Sequence, residues 1–272
     1  MKNWRKYAAI LGIVILLVIF CLPMYFALKG NFSMKELIAS YFVVLFVAIM
    51  CYVILMMFRL LNKKKEDEHA VGSIKNVIFD VGLVLVDFKW ESYMDTFGFD
   101  KEKYDKIANA VFLSPVWDER DRGLYDEETY IKKCQEAAPE YADDIAFVMK
   151  GTPKTISRMP YAETWAKYLK SKGYNLYILS NLSEYMKEGA KKEMTFLKYM
   201  YGTVFSCDVK QLKPEPEIYQ TLLKKYSLNP SECVFIDDRE VNCEGARAQG
   251  IKSICFKNFK QAAAELEQLG VK

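Results

Sequence analysis

Apolar positions along this chain fall into two regimes. Between Tyr7 and Leu28 there is no charged residue, and from about Leu37 to Leu61 the one charge is Arg59, close enough to the end to reach an interface. Beyond Ser73 the apolar residues come instead in short runs, separated by stretches of helical period. Runs of roughly 20 apolar residues are long enough to cross a hydrocarbon core of about 30 Å, so the first regime predicts two membrane spans, 7–28 and 37–61. The polar turn Lys29-Gly30-Asn31-Phe32-Ser33 joins them into a transmembrane hairpin covering residues 1–61. Pro23 sits near the end of the first span, where a kink is tolerated.

The second regime predicts an α/β fold. Strand-like runs occur at Lys75–Phe79, Asn175–Leu179, Thr203–Cys207, Cys233–Ile236 and Ser253–Phe256, each rich in Val, Ile, Phe, Tyr or Leu. Helical patterns follow at Glu163–Ser171 (with Gly173 after it), Glu184–Lys198, Glu217–Tyr226, Glu240–Gln249 and Lys260–Leu269. Strands alternating with helices predict a Rossmann-like parallel sheet covered on both faces. The long interval between the first two strands is far more than a crossover needs, and its pattern is helical without strand runs. The expected organisation is therefore an α/β core over 74–87 and 162–272, with an inserted helical domain over 88–161.

Charge adds an orientation. Lys2, Arg5 and Lys6 precede the first span and Lys63, Lys64 and Lys65 follow the second, while the loop between them holds Lys29, Lys35 and Glu36. The excess of positive charge places both ends, and the α/β domain, on the cytoplasmic side of a multi-pass membrane protein. The first span has the basic start and apolar centre of a signal peptide but no small-x-small site, and its cleavage would leave the same orientation. Segment 62–73 reads as a charged linker. The net charge of +3 and pI near 8.3 give no indication of a nucleic-acid partner. Seven cysteines without a CxxC pair, and a single histidine, His69, in the linker, argue against zinc and for buried, reduced thiols.

Candidate chemistry sits where strands end. The first strand leads into Asp80-Val81-Gly82, the second into Ser180-Asn181; Lys213-Pro214-Glu215-Pro216-Glu217 follows the third and Asp237-Asp238 the fourth. Each alone is ordinary: a turn aspartate, a helix N-cap, a surface lysine, an acidic turn. Together, in that order, they would bring a nucleophilic carboxylate, phosphate donors, a cation and an acidic pair to the carboxyl edge of one sheet, where such folds bind ligands. That set suits phosphoryl transfer through an aspartyl-phosphate.

These four stretches, with Asn242, resemble the motifs of haloacid dehalogenase-like (HAD) hydrolases over about residues 74–258, most closely the phosphatases with a helical cap inserted after the first motif. The resemblance implies that Asp80 attacks phosphorus and Ser180, Asn181 and nearby amides hold phosphoryl oxygens. Lys213 would neutralise charge, and Mg²⁺ would lie between Asp80, the Gly82 carbonyl and Asp238, with Asp237 and Asn242 supporting. The expected substrate is a small phosphate monoester such as a sugar phosphate. Gly82 departs from the pattern, since most such phosphatases carry a second aspartate there as general acid. Substrates with good leaving groups would need it less, and Asp87 is a further carboxylate nearby. Two other readings remain open: a catalytically weak or inactive interaction module at the membrane, and a 2-haloacid dehalogenase, which needs neither Mg²⁺ nor the acidic pair. In the insertion, Arg120 and Arg122 are expected as solvated charges at a helix end stopped by Gly123, the alternative being an anion clamp. Trp90, Phe97, Phe112 and Trp117 are expected to form the insertion's core.

Overall fold

The structure is a computed structural model. It describes residues 73–272 continuously and isolated positions between 25 and 57. The chain divides into two compact units, Met1–Ala70 and Val71–Lys272. Most of spans 7–28 and 37–61 and most of the linker lie outside the described residues. The few positions described within the spans, among them Ile38, Phe42, Ile49, Tyr52 and Met56, are helical and exposed, and Lys29 and Gly30 form a turn. Among the described residues no helix is long and apolar enough to cross a membrane.

The second unit begins with β1 (Asn76–Phe79) and β2 (Val86–Phe88). Five helices follow: α1 (Trp90–Asp95), α2 (Lys101–Ala110), α3 (Pro115–Arg122), α4 (Glu127–Ala137) and α5 (Ala142–Gly151). The chain returns through β3 (Ile156–Arg158) and α6 (Ala162–Ser171) to β4 (Asn175–Ser180), α7 (Glu184–Gly189) and β5 (Gly202–Phe205). It closes with α8 (Ser206–Val209), α9 (Pro216–Lys225), β6 (Cys233–Asp237), α10 (Glu240–Ala248), β7 (Lys252–Cys255) and α11 (Phe259–Gln268).

Five strands form one parallel sheet in the order β5-β4-β1-β6-β7. Alternate residues feed opposite faces. Val77, Phe79, Ile178, Val234 and Ile236 meet Trp165, Ala166 and Leu266 from α6 and α11. Ile78, Tyr177, Leu179 and Phe235 meet Ile218, Tyr219, Leu222 and Ala246 from α9 and α10. With both faces covered, the strands read as continuous apolar runs rather than as alternating ones. The expected α/β fold with a parallel sheet is what the chain adopts.

The helices of the insertion have their own core of Met94, Ile107, Val111, Phe112, Tyr130, Ile145 and Met149, with Trp90, Phe97 and Trp117 packed against it. Local chemistry sets their ends. Asp100 and Asp126 accept from the backbone of Lys103 and Thr129 at the starts of α2 and α4. Ser114 caps α3 with Pro115 in its first turn. Gly123 stops α3 at φ +71°, and a Cβ there would lie 3.1 Å from the Cys207 Cβ.

Three expectations are corrected here. The 88–161 stretch does contain a strand: β3 pairs antiparallel with β2 in a ribbon joining the insertion to the core. Three residues per strand are too few to show a period. The helix expected over 184–198 ends at Gly189, which packs so closely on Pro153 that a Cβ would meet its ring at 2.4 Å. Two 3₁₀ turns follow, Lys191–Glu193 and Thr195–Tyr199. Thr195 there donates its hydroxyl to Glu163 rather than continuing a helix. Arg120 is not a solvated charge: it is 1% exposed, paired with Glu127 and stacked near the rings of Trp117 and Tyr185.

Candidate active site

The register decides which side chains meet. Phe79 pairs with Ile178 on β4 and Ile236 on β6, so Asp80 and Asp237 leave the sheet side by side. The Asp80 N–H still donates to the Ile236 carbonyl at 2.9 Å. The connection after β5 crosses to β6 on the other side of β1, and the crevice opens at this reversal. A cavity of about 200 Å³ lies there, and its lining includes Asp80, Gly82, Asn181, Lys213, Asp238 and Asn242.

Lys213 is 3% exposed, with its ammonium 2.9 Å from Asp80 Oδ1 and 2.6 Å from Asp237 Oδ2. Burial works against that charge, but the two carboxylates outweigh it and hold the ammonium above its ordinary range. Asp80 Oδ1 also accepts from the Val81 N–H at 2.6 Å, which orients the carboxyl. Burial pushes the Asp80 carboxyl up to about 7, the Lys213 charge pulling the other way and Asp237 and Asp238 pushing in the same direction.

Asp237 is fully buried and saturated. It accepts from Lys213, from the Arg239 N–H at 2.9 Å and from the Asn242 amide at 2.9 and 3.2 Å. Its role is to position Lys213 and the turn after β6. Asp238 is half-buried and faces the cavity; its carboxyl is raised, by burial first and then by Asp237. Asn242 Oδ1 is buried with no hydrogen-bond partner. Carboxylate oxygens of Asp80, Asp237 and Asp238 lie within 4.8 Å of one another. An all-oxygen acidic set with an orphaned amide oxygen beside it fits a hard divalent cation such as Mg²⁺.

Asn181 accepts the Lys213 N–H at 2.9 Å and donates to the Lys213 carbonyl at 3.0 Å, tying the turn after β4 to the lysine loop. Ser180 is buried at the end of β4 and is not part of the cavity lining. Asp87 turns away: it accepts its neighbour's Phe88 N–H at 2.9 Å and pairs with Lys89. Arg122 binds Glu215 across to the same lysine loop, so this residue is a brace and not an anion clamp.

Two features were not legible from spacing. Asp118 and Asp121 of α3 line the cavity beside Trp117. Cys243 and Cys255, twelve residues apart, lie with Glu240 within 4.8 Å. Burial pushes the Cys243 thiol up to about 12, and both thiols donate weakly to the Asp237 and Asp238 carbonyls, bracing that turn.

A family model described as haloacid dehalogenase-like hydrolase matches residues 74–250. A flavin mononucleotide hydrolase of Arabidopsis thaliana is 26% identical over 159 residues, covering 57% of this chain and 62% of that protein, less than two thirds of its length. A sesquiterpene phosphatase of Aspergillus oryzae is 23% identical over 198 residues, 72% of this chain and 97% of that one. Among solved structures, a HAD-family enzyme of Bacteroides thetaiotaomicron in complex with magnesium and inorganic phosphate superposes with a TM-score of 0.55 at 21% identity. It covers 70% of this chain and 98% of that one.

Proposed function

The chain belongs to the haloacid dehalogenase-like hydrolases, and from that premise we propose that it is a membrane-anchored, Mg²⁺-dependent phosphatase of small phosphate monoesters, sugar phosphates among them. The observation that carries the reading is the buried Asp80–Lys213–Asp237 chain beside the cavity-facing Asp238. Two phosphatase relatives and the magnesium- and phosphate-bound neighbour support it.

Asp80 is the nucleophile. Its Oδ1 is held by Lys213 and the Val81 N–H, so the other oxygen is left to attack phosphorus in line with the leaving oxygen. The result is an aspartyl-phosphate that water then hydrolyses. Lys213 offsets the charge that gathers as a dianionic phosphate meets a carboxylate, in a site dry enough for that attraction to count. Asp80, the Gly82 carbonyl and Asp238 would hold Mg²⁺, with Asp237 and Asn242 supporting, and the ion would draw charge from the phosphoryl oxygens. Asn181, on the cavity wall, serves the phosphate end; Ser180 is buried at the end of β4 and is not part of that wall. Asp238 would have no such work in a haloacid dehalogenase, which favours phosphate chemistry.

The anchor belongs to the same proposal: residues 7–28 and 37–61 span the bilayer and the hydrolase domain faces the cytoplasm, supported by the charge pattern at both ends. The catalytic reading is tested by screening the full chain against a phosphate-ester panel with and without Mg²⁺. Asp80→Asn is expected to abolish turnover; an unaffected variant would remove Asp80 as nucleophile.

A further inference from the structure

An alkoxide leaving from phosphorus needs a proton, and the position two residues beyond Asp80 has no side chain to give one. Space is not the reason. A Cβ at Gly82 would meet nothing within 4 Å. The room left there opens into the cavity, which α3 lines with Trp117, Asp118 and Asp121.

Asp121 is the better placed of the two aspartates. Its Oδ1 accepts the Ser183 N–H at 3.0 Å, and its backbone carbonyl accepts the Ser206 hydroxyl. Ser206 Oγ in turn accepts the Leu182 N–H at 2.9 Å. The residue is thus fastened to the loop after β4 directly at Ser183 and, through Ser206 of α8, at Leu182, whereas the Asp118 carboxyl has no hydrogen-bond partner among the described residues. An oxygen that already accepts an N–H is the poorer site for a proton, so a neutral Asp121 carries its hydrogen on Oδ2, which makes no hydrogen bond among the described residues. No hydrogen bond joins Asp121 to Asp80, Gly82 or Asp238.

We propose that Asp121, supplied by the helical insertion, is the general acid–base of this phosphatase and fills the role vacated at Gly82. The assignment rests on the phosphatase reading above. As the Asp80 oxygen bonds to phosphorus and the bridging P–O bond breaks, the Oδ2 proton passes to the departing oxygen, and the alcohol leaves neutral. The resulting Asp121 carboxylate then takes a proton from the water that attacks the aspartyl-phosphate. Phosphate departs, and Asp80 and protonated Asp121 are restored.

The electrostatics agree. Burial pushes the Asp121 carboxyl up to about 7, against the pull of Arg120 and the Ser183 N–H, with Asp118 and Asp80 adding to the rise. Lys213, Asp238 and Arg239 are the other charged groups on the cavity wall. An acid poised near neutral pH both gives and takes a proton readily.

Asparagine at 121 keeps an oxygen for the Ser183 N–H, so Asp121→Asn separates proton transfer from bracing. The full chain in detergent is assayed with p-nitrophenyl phosphate, whose leaving group needs little help, and with a series of alkyl phosphates. Asp121→Asn is expected to lower kcat on alkyl phosphates about 100-fold but on p-nitrophenyl phosphate less than about 10-fold. It is also expected to remove the fall in kcat/KM above about pH 7. Adding Gly82→Asp to Asp121→Asn should restore at least about 10-fold on the alkyl esters. An equal loss on both substrate classes with the pH limb intact would make Asp121 a brace only. The selective loss appearing in Asp118→Asn instead would overturn the assignment in favour of that neighbour. If no substrate shows turnover that Asp80→Asn abolishes, the phosphatase reading itself fails.

Discussion

At Asp121 a single carboxyl carries a thermodynamic signature as well as a chemical one. Its pKa is raised from 3.8 to about 7 in the folded chain, chiefly by burial. A raised carboxyl binds its proton more tightly in the fold than in the unfolded chain. Its stabilising contribution is therefore complete below about pH 4 and is lost as pH rises through about 7, a change of at most about 4 kcal/mol. In metal-free buffer the Val71–Lys272 unit should melt higher at pH 5 than at pH 8, and Asp121→Asn should flatten that slope. Asp80, also raised to about 7, contributes a slope of the same sign, so the variant's slope should shrink without vanishing. Thermal melts across pH 4–8 check this. Asp80, Lys213 and the acidic pair were all legible in the sequence: Asp80 and Asp237-Asp238 sit at the ends of strands whose apolar runs are unmistakable, and Lys213 stands in a Lys-Pro-Glu-Pro-Glu stretch a few residues after the third such run. Asp121 was not: it lies in a helix among other charges, and only the packing of that helix on the loop after β4 gives it a cavity to face.

Among the elements, α3 holds the insertion to the sheet. Arg120 packs inward beneath Glu127, Arg122 reaches Glu215 in the lysine loop, and Ser206 of α8 binds the Asp121 carbonyl. Gly123 permits this closeness twice over, by its positive φ and by its missing Cβ. Gly173, at φ +91°, has the strained backbone without the contact. Gly173→Ala should cost about 1 kcal/mol from the left-handed backbone alone. Gly123→Ala should cost at least about 1 kcal/mol more, because Cys207 must move. Denaturant midpoints of the two variants measure the difference, and equal losses would mean that α8 yields freely. The ends of the sheet strands agree with the sequence to within a residue or two, since burial on both faces writes them as dense apolar runs. The β2–β3 ribbon is too short for such a signal. The stretch 184–198 carries a helical period that contact with Pro153 overrides.

On the scale of the whole chain, the acidic crevice and the apolar N-terminal segment make separate predictions. A cation that binds only the folded domain stabilises it by about 2.7 kcal/mol at 100 times its Kd. Millimolar Mg²⁺ should therefore raise the melting temperature of the wild type but not of Asp238→Asn; an equal rise in both would move the ion elsewhere. The full chain should fractionate with membranes and resist alkaline carbonate extraction. A reporter fused after Lys272 that works only outside the cytoplasm should stay silent, and its activity would reverse the proposed orientation.

The sequence by itself determined the sheet, its parallel character and the four stretches after its strands that are proposed to bear the chemistry, because a strand buried on both faces and the polar residues that follow it are local facts of composition. It also carried the two apolar runs from which an anchor is proposed. Tertiary structure alone decided which charges meet: that Lys213 bridges Asp80 and Asp237, that Arg120 is buried, and that an aspartate from the insertion reaches the cavity. Those outcomes depend on distances between segments far apart in the chain, and on the burial that shifts a carboxyl to near 7, neither of which a residue's neighbours in sequence can specify.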